Sequence, residues 1–564
     1  MTERAQRAQQ PQQAATLVVK AASGFTGAWA DGALQEGTGP VALGVAGDRI
    51  LWVAPPEAVG STACPVAPDA VVADYGEAFL MPGFHDAHLH FFHSALYASP
   101  LAEQFVGASE QDCVARLAPL AARRPAGSWL LAQGWREYLW DPPEVPTRAS
   151  LDAAYPDQPV ALYSGDAHTL WLNGCALERL GIAEDAEPPA GGSYDRDAEG
   201  RLTGVVREAA AMELMPRIVA GFGEDELLDA YRSFLGHLNA VGVTAVDDMA
   251  LMAGPGLDFV RDDLFAKLEE AGQLTVRAHL FPTLLPGTTR LAELQGRLRG
   301  SLLRASGFKQ FFDGVSSQHT AWLRDPYANP RFEGDRGRPT VAPEAMAELV
   351  AEATAAGQGV RIHAIGDEAI HRALDSYEAA RKAEAPEGPH PVLAVEHLEN
   401  FQPGDVERLA RLDVVASVQP RHMTLDPGGP ERDLGPDRVP LMWPFRSLID
   451  AGATLAFGTD SPVTPVDPLK AVYTAVTRRE ADSGWPEGGW LPEQRITVAE
   501  ALAAYTAGSA RAAGRSHELG VLAPGMLADL VVLDRDVLGS PPEALLEAQV
   551  MATYVGGRKV YGLG

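Results

Sequence analysis

His88 and His90 stand one residue apart in PGFHDAHLH. On a β-strand, residues i and i+2 point the same way. Two imidazoles therefore project from one strand end as a ready pair of metal ligands. An isolated HxH is also a common coincidence, so its meaning depends on the residues downstream of it. Here they form an ordered set. His363 ends the apolar run VRIH, His397 follows VLAVE, and Asp460 follows TLAFGT. Any one of these histidines alone reads as a satisfied core residue. Asp460 is harder to place, because an unpaired buried carboxylate is costly. Four histidines and one aspartate at the strand ends of one barrel converge on one pocket. Nitrogen ligands with a carboxylate suit zinc, and iron, nickel, cobalt and manganese also fit.

Lys309, in GFKQFFDG, stands near another strand end. It reads either as a surface lysine with a packed stem or as an inward ammonium that needs a partner or neutralisation. Carbon dioxide would convert it to a carbamate, an anionic oxygen ligand able to bridge two metals. Asp313 binds metal, orients a ligand or begins the loop. A divalent metal in such a set brings the pKa of water towards about 7. Asp460 is the candidate that takes the proton and passes it to a leaving nitrogen, which departs poorly unless protonated. His168, in GDAHTLWLN, is a candidate for substrate contact, and a structural hydrogen bond is its competing role. Trp135, Trp140 and Trp171 are candidates for an apolar substrate wall, against a plain packing role.

Eight apolar runs would position these residues: LMPGFHDAHLH, VTAVDDMA, TVRAHLFPT, GFKQFFDG, VRIHAIGD, VLAVEHLEN, VVASVQP and TLAFGTDSP. Helical patterns such as EDELLDAYRSFLGHLNAVG, PEAMAELVAEATAAG and DEAIHRALDSYEAARKA lie between some of them. The alternation predicts an α/β fold, a (β/α)8 TIM-like barrel over residues 80–514 whose strand ends carry the site. The stretch between the first two strands far exceeds an ordinary βα loop. Residues 95–235 are therefore read as a large insertion after the first barrel strand, covering the barrel mouth. Residues 16–79 and 515–564 are β-rich and predict one composite domain from both chain ends, with a hairpin turn at Gly556–Gly557. Residues 1–15 read as a disordered tail.

The 564 residues carry a net charge of −29, which opposes binding to nucleic acid or to anionic membranes. The three cysteines, Cys64, Cys113 and Cys175, have no CxxC spacing and predict a reducing compartment. The first residues hold no apolar core of signal-peptide length, and no apolar run approaches the roughly 18 residues of a membrane span. The expectation is a cytoplasmic protein acting on a small-molecule substrate.

PGFHDAHLH, GFKQFFDG, RIHAIGD, AVEHLEN, FGTDSP and ALAAYTAGSARAAG, with GW at 134–135, DAHTLWLN and TGVVRE, form a specific set. With them the chain resembles the amidohydrolase superfamily, in the amidohydrolase family 3 branch that includes N-substituted formamide deformylase-like proteins. The resemblance implies a β/α barrel with a composite β-sandwich, one or two divalent ions, and a homodimer. It implies that His88 and His90 bind the more buried metal and that Lys309 is the carboxylated bridge. His363 and His397 would bind the second metal, and Asp460 would bind metal and shuttle protons. His85 departs from the family pattern, which usually has an aliphatic residue there; packing or a loop role fits it, and His93 is a nearby non-ligand. The implied activity is hydrolysis of an amide, formamide or cyclic amide. Ester, lactone or deaminase chemistry on the same site is the alternative, and a non-catalytic barrel would be expected to have lost these ligands.

Overall fold

The computed structural model describes residues 13–563, apart from 31–32, 36, 38, 166, 190, 252–257, 386 and 427. The expected tail lies outside the described residues up to residue 12, and strand begins at Ala15.

The eight apolar runs are strands: β1 (Phe84–Leu89), β2 (Val243–Met249), β3 (Arg277–Phe281), β4 (Gly307–Phe311), β5 (Gly359–Ala364), β6 (Leu393–His397), β7 (Val414–Val418) and β8 (Leu455–Phe457). Parallel strands covered on both faces bury every residue, which is why they appear in the sequence as apolar runs without alternation. Strands β1, β2 and β3 form one parallel sheet with a short edge strand, Leu303–Ala305; β4 to β8 form a second in chain order. The sheets meet at both edges through parallel bridges, Leu89 with Ser461 and Thr283 with Lys309. Asp460 N donates to His88 O at 2.7 Å and Leu284 N to Lys309 O at 2.7 Å across those edges. Gly458 makes the first edge possible, since a Cβ there would sit 2.5 Å from the His88 nitrogen.

The helix Glu224–Ala240 shows how the strands are covered. Glu226 caps its start through Gly223 N at 2.9 Å, and three acids occupy the first turn, where the helix dipole favours them. Leu227, Leu228, Tyr231, Phe234, Leu235 and Leu238 are buried along one stripe. The boundary expected at residue 235 thus falls inside a helix. The inserted segment has its own six-stranded sheet, from Ala102–Gln104 to Leu202–Glu208.

The chain ends meet. Phe79–Pro82 pairs with Leu530–Leu533, which pairs with Val550–Val555 and then Arg558–Gly562 through a two-residue turn at Gly556–Gly557, both with positive φ. This sheet packs against the N-terminal sheet through Val19, Leu43, Ile50, Leu80, Val532 and Tyr554. The three cysteines are free. Among the described residues no helix is long and apolar enough to cross a membrane.

Arg277 on β3 anchors this terminal unit, donating to Asp529 from Nε at 2.6 Å and from Nη2 at 2.9 Å, with both residues buried. Arg277→Met should cost about 3–5 kcal/mol in denaturant unfolding, because it strands Asp529. The double variant Arg277→Met, Asp529→Leu should lose less.

Candidate metal centre

The ends of β1 and β8 build the centre. His88 is wholly buried, and His90 caps the helix Phe91–Tyr97. Asp86 binds the two ends together: its carboxyl accepts from His88 N at 3.2 Å, Thr459 N at 3.0 Å and Thr459 Oγ1 at 2.7 Å. Burial raises that carboxyl to about 7 against these donors. Asp460 comes next at φ 55°, a strained setting for a non-glycine residue.

The proton positions around the two imidazoles are set by their partners. His88 Nδ1 lies 2.6 Å from Glu396 Oε2 and His90 Nδ1 lies 2.8 Å from Met249 O. A carboxylate and a carbonyl only accept, so both Nδ1 atoms carry a hydrogen, and in the neutral ring Nε2 is the atom left to bind a cation. Those Nε2 atoms lie 3.4 and 3.1 Å from Asp460 Oδ1. Burial, and then the Lys309 ammonium, push His88 well below the usual imidazole range, so it carries no second proton. Three electron-rich atoms thus converge, and the set His88, His90 and Asp460 fits a cation.

Lys309 is buried, with Nζ 3.5 Å from His88 Nε2 and 4.8 Å from the centre of the Phe311 ring. Burial brings its ammonium down to about 8, although Glu396 and Asp460 pull the other way. His363 and His397 are adjacent, with ring centres 4.3 Å apart, but His363 Nε2 is 3.1 Å from Gly314 O. The ligand atoms that lie together are those of His397, His422 and Asp460. His397 Nδ1 and His422 Nε2 are buried without a hydrogen-bond partner. Asp313 accepts from Trp322 N, Ile365 N and Gly366 N, so it holds loops rather than facing the cluster.

Two members of the site were not singled out in the sequence: His422, which belongs to none of the motifs, and Glu396, which lies inside AVEHLEN beside His397. His422 stands two residues past the run VVASVQP, in the short 3-10 turn Pro420–Thr424, and its place at a strand end is the signal that identifies it. Glu396 precedes His397, and alternation would turn the two apart. His397 has φ 74°, which breaks the alternation and brings both to His88.

A cavity of about 230 Å³ opens on the cluster. His90, His363, His397, His422 and Asp460 line it, as does His168, whose Nδ1 is 2.9 Å from Glu208. Met212, Met215, Phe259, Leu434 and Trp443 supply apolar wall. Trp135 and Trp171 do not, which corrects their expected role. They are 1 and 0 % exposed, lie in the core of the inserted sheet, and donate to Leu162 O and Thr147 O. Trp140 packs with them. A six-stranded sheet needs its own large apolar residues, and these indoles provide them.

A family model described as the amidohydrolase family matches residues 72–561. Protein LONG AFTER FAR-RED 3 of Arabidopsis thaliana is 32% identical over 86% of this chain and 82% of its own length. N-substituted formamide deformylase of Arthrobacter pascens is 29% identical over 91% of this chain and 93% of its own. The structure of an uncharacterized metal-dependent hydrolase from Pyrococcus horikoshii OT3 superposes with a TM-score of 0.73 and 25% identity, covering 93% of this chain and 99% of that one.

Beneath the cluster the strands carry a second polar group. His85 Nε2 and His279 Nδ1 lie 2.7 and 3.1 Å from Asp247 Oδ1, and Arg515 Nη1 lies 2.9 Å from His279 Nε2. These histidines also approach one another within coordination distance, but Arg361 already donates to the same aspartate. His85, the departure from the family pattern, therefore serves this network and not the cavity. Burial lowers His279 to about 4, so the folded state binds its proton more weakly than the unfolded state does. Stability should fall as pH drops from about 6.5 to 4, by about 3 kcal/mol for this group. Unfolding curves of wild type and His279→Gln across that window should differ in slope, with the variant flatter.

Proposed function

Because the chain belongs to the amidohydrolase family, we propose that it is a metal-dependent hydrolase that cuts a non-peptide carbon–nitrogen bond in a small amide, formamide or cyclic amide. One observation carries this reading: His88 Nε2 and His90 Nε2 converge on the Asp460 carboxylate, while Glu396 and the Met249 carbonyl hold the opposite nitrogen of each ring. The two sheets bridged at both edges are read as one closed eight-stranded barrel, and the paired chain ends as its β-sandwich domain. His88, His90 and Asp460 hold one divalent cation, and zinc suits the set. His363 and His397, with Lys309 as its carbamate, would hold a second. At its depressed pKa a fraction of Lys309 is the free amine that reacts with carbon dioxide.

The bound cation supplies Lewis acidity and a water ionised near neutral pH. The protein supplies the rest. Glu396 fixes the tautomer and the orientation of His88, as carboxylates commonly do behind a ligating histidine. Asp460 takes the proton of the attacking water and returns it to the departing nitrogen. His422, with Nε2 3.8 Å from Asp460 Oδ2, faces the same cavity and is placed to donate to the carbonyl oxygen as charge develops on it. His168 contacts the substrate further out. The likeness to N-substituted formamide deformylase along nearly the whole chain makes formamides the first substrates to try. The free cysteines support a reducing, cytoplasmic location.

Elemental analysis should find one or two divalent ions per chain, lost in the variant His88→Ala, His90→Ala. A wild type that stays metal-free after preparation with divalent ions would sink the proposal. Glu396→Gln should weaken metal binding about 10- to 100-fold in a chelator competition. Asp460→Asn should lower kcat on a turned-over formamide about 10²- to 10⁴-fold.

A further inference from the structure

His90, His93 and Tyr97 are spaced to share one face of the helix Phe91–Tyr97, and all three line the cavity. His90 belongs to the metal centre. Tyr97 lies about 10 Å further along the helix axis. Both ring nitrogens of His93 and the Tyr97 hydroxyl are buried with no hydrogen-bond partner. Buried groups without a partner are costly, so a group that satisfies them on binding gains that difference.

Arg136 lines the same cavity from the inserted sheet, at the end of the strand Leu130–Trp135. It is half-buried, and among the described residues its guanidinium has neither a hydrogen bond nor an ion pair. Gly165 leaves room for it, because a Cβ there would collide with Arg136 Nε. The acids that line the cavity are engaged elsewhere. Asp426 and Asp433 are both held by Arg432, and Glu399 faces His422. The cavity lining therefore carries a guanidinium unpaired among the described residues, and spare donors, together with the apolar Met212, Met215 and Phe259.

We propose that Arg136, with His93 and Tyr97, receives a carboxylate at the distal end of the substrate, separated from the amide by an apolar spacer. This rests on the reading of the cavity as the substrate site of a metal-dependent hydrolase. The substrate class is then an N-acylated amino acid, or another amide acid, whose two functional ends are several bonds apart. Arg136 supplies the charge and the forked donors that suit a carboxylate, and the spacer lies along the methionines.

The test is calorimetric titration of the metal-loaded protein with two compounds that differ only in the carboxylate, 6-formamidohexanoate and N-pentylformamide. The acid should bind on the order of 10- to 100-fold tighter. Arg136→Met should reduce that preference to within about threefold, Arg136→Lys should keep part of it, and Tyr97→Phe should lose a smaller part. Equal binding of the two compounds, or binding of neither, overturns the proposal. A preference that survives in Arg136→Met also overturns it, since the carboxylate would then sit on the metal. Turnover adds a heat that continues after each injection has mixed and is read apart from the binding heat, so failure of the hydrolase reading shows separately, in metal content and in activity.

Discussion

One buried guanidinium ties the centre of this molecule together. Arg361 on β5 donates to Glu396 Oε1 at 2.6 Å, Asp247 Oδ2 at 2.5 Å, Ala87 O at 2.7 Å and Ser417 Oγ at 3.0 Å. Those partners belong to β6, β2, β1 and β7, so one side chain is bonded to four other strands. A buried charge is tolerated only when it is paired and its donors are used, and here two carboxylates meet the guanidinium. Its planar fork fixes directions that a lysine could not. Glu396 is thereby aimed at His88 with one oxygen while the other is held. The electronic state of the buried ligand His88 is set from the middle of the strands.

Above that layer the backbone is strained where the chemistry is gathered. His397 and Asp460 both have positive φ, a conformation that costs non-glycine residues on the order of 1–3 kcal/mol. The surroundings hold them there. Asp86 ties the segment before Asp460 to β1, and Gly458 lets the two backbones approach. Rigid strands below and locked turns above give the side chains a fixed geometry before any ligand arrives, which is what a metal centre needs.

The parts legible in the sequence are those whose physics is local. Strands buried on both faces leave continuous apolar runs, so all eight could be picked out, and HxH on a strand end has one geometric meaning. Residues that depend on broken regularity were hidden. Glu396 reaches His88 because His397 leaves the strand conformation, and His422 sits on a 3-10 turn rather than a strand. The indoles of Trp135 and Trp171 were misplaced because an inserted segment rich in aromatics looks like a lid, when it is a sheet with a core of its own. Arg136 gave no sequence signal, since nothing local says that a charge will lack a partner.

The pairing of Phe79–Pro82 with Leu530–Leu533 sets an order of events when the protein is made. The strand that leads into β1 takes one hydrogen-bonded neighbour from Ser23–Gly24 and the other from Leu530–Leu533, far along the chain. On the ribosome that edge waits until residues 530–533 have emerged. Contacts this distant in sequence close late and leave strand edges open meanwhile. Early termination anywhere before residue 530 would therefore leave the strand that leads into β1 with one edge unpaired.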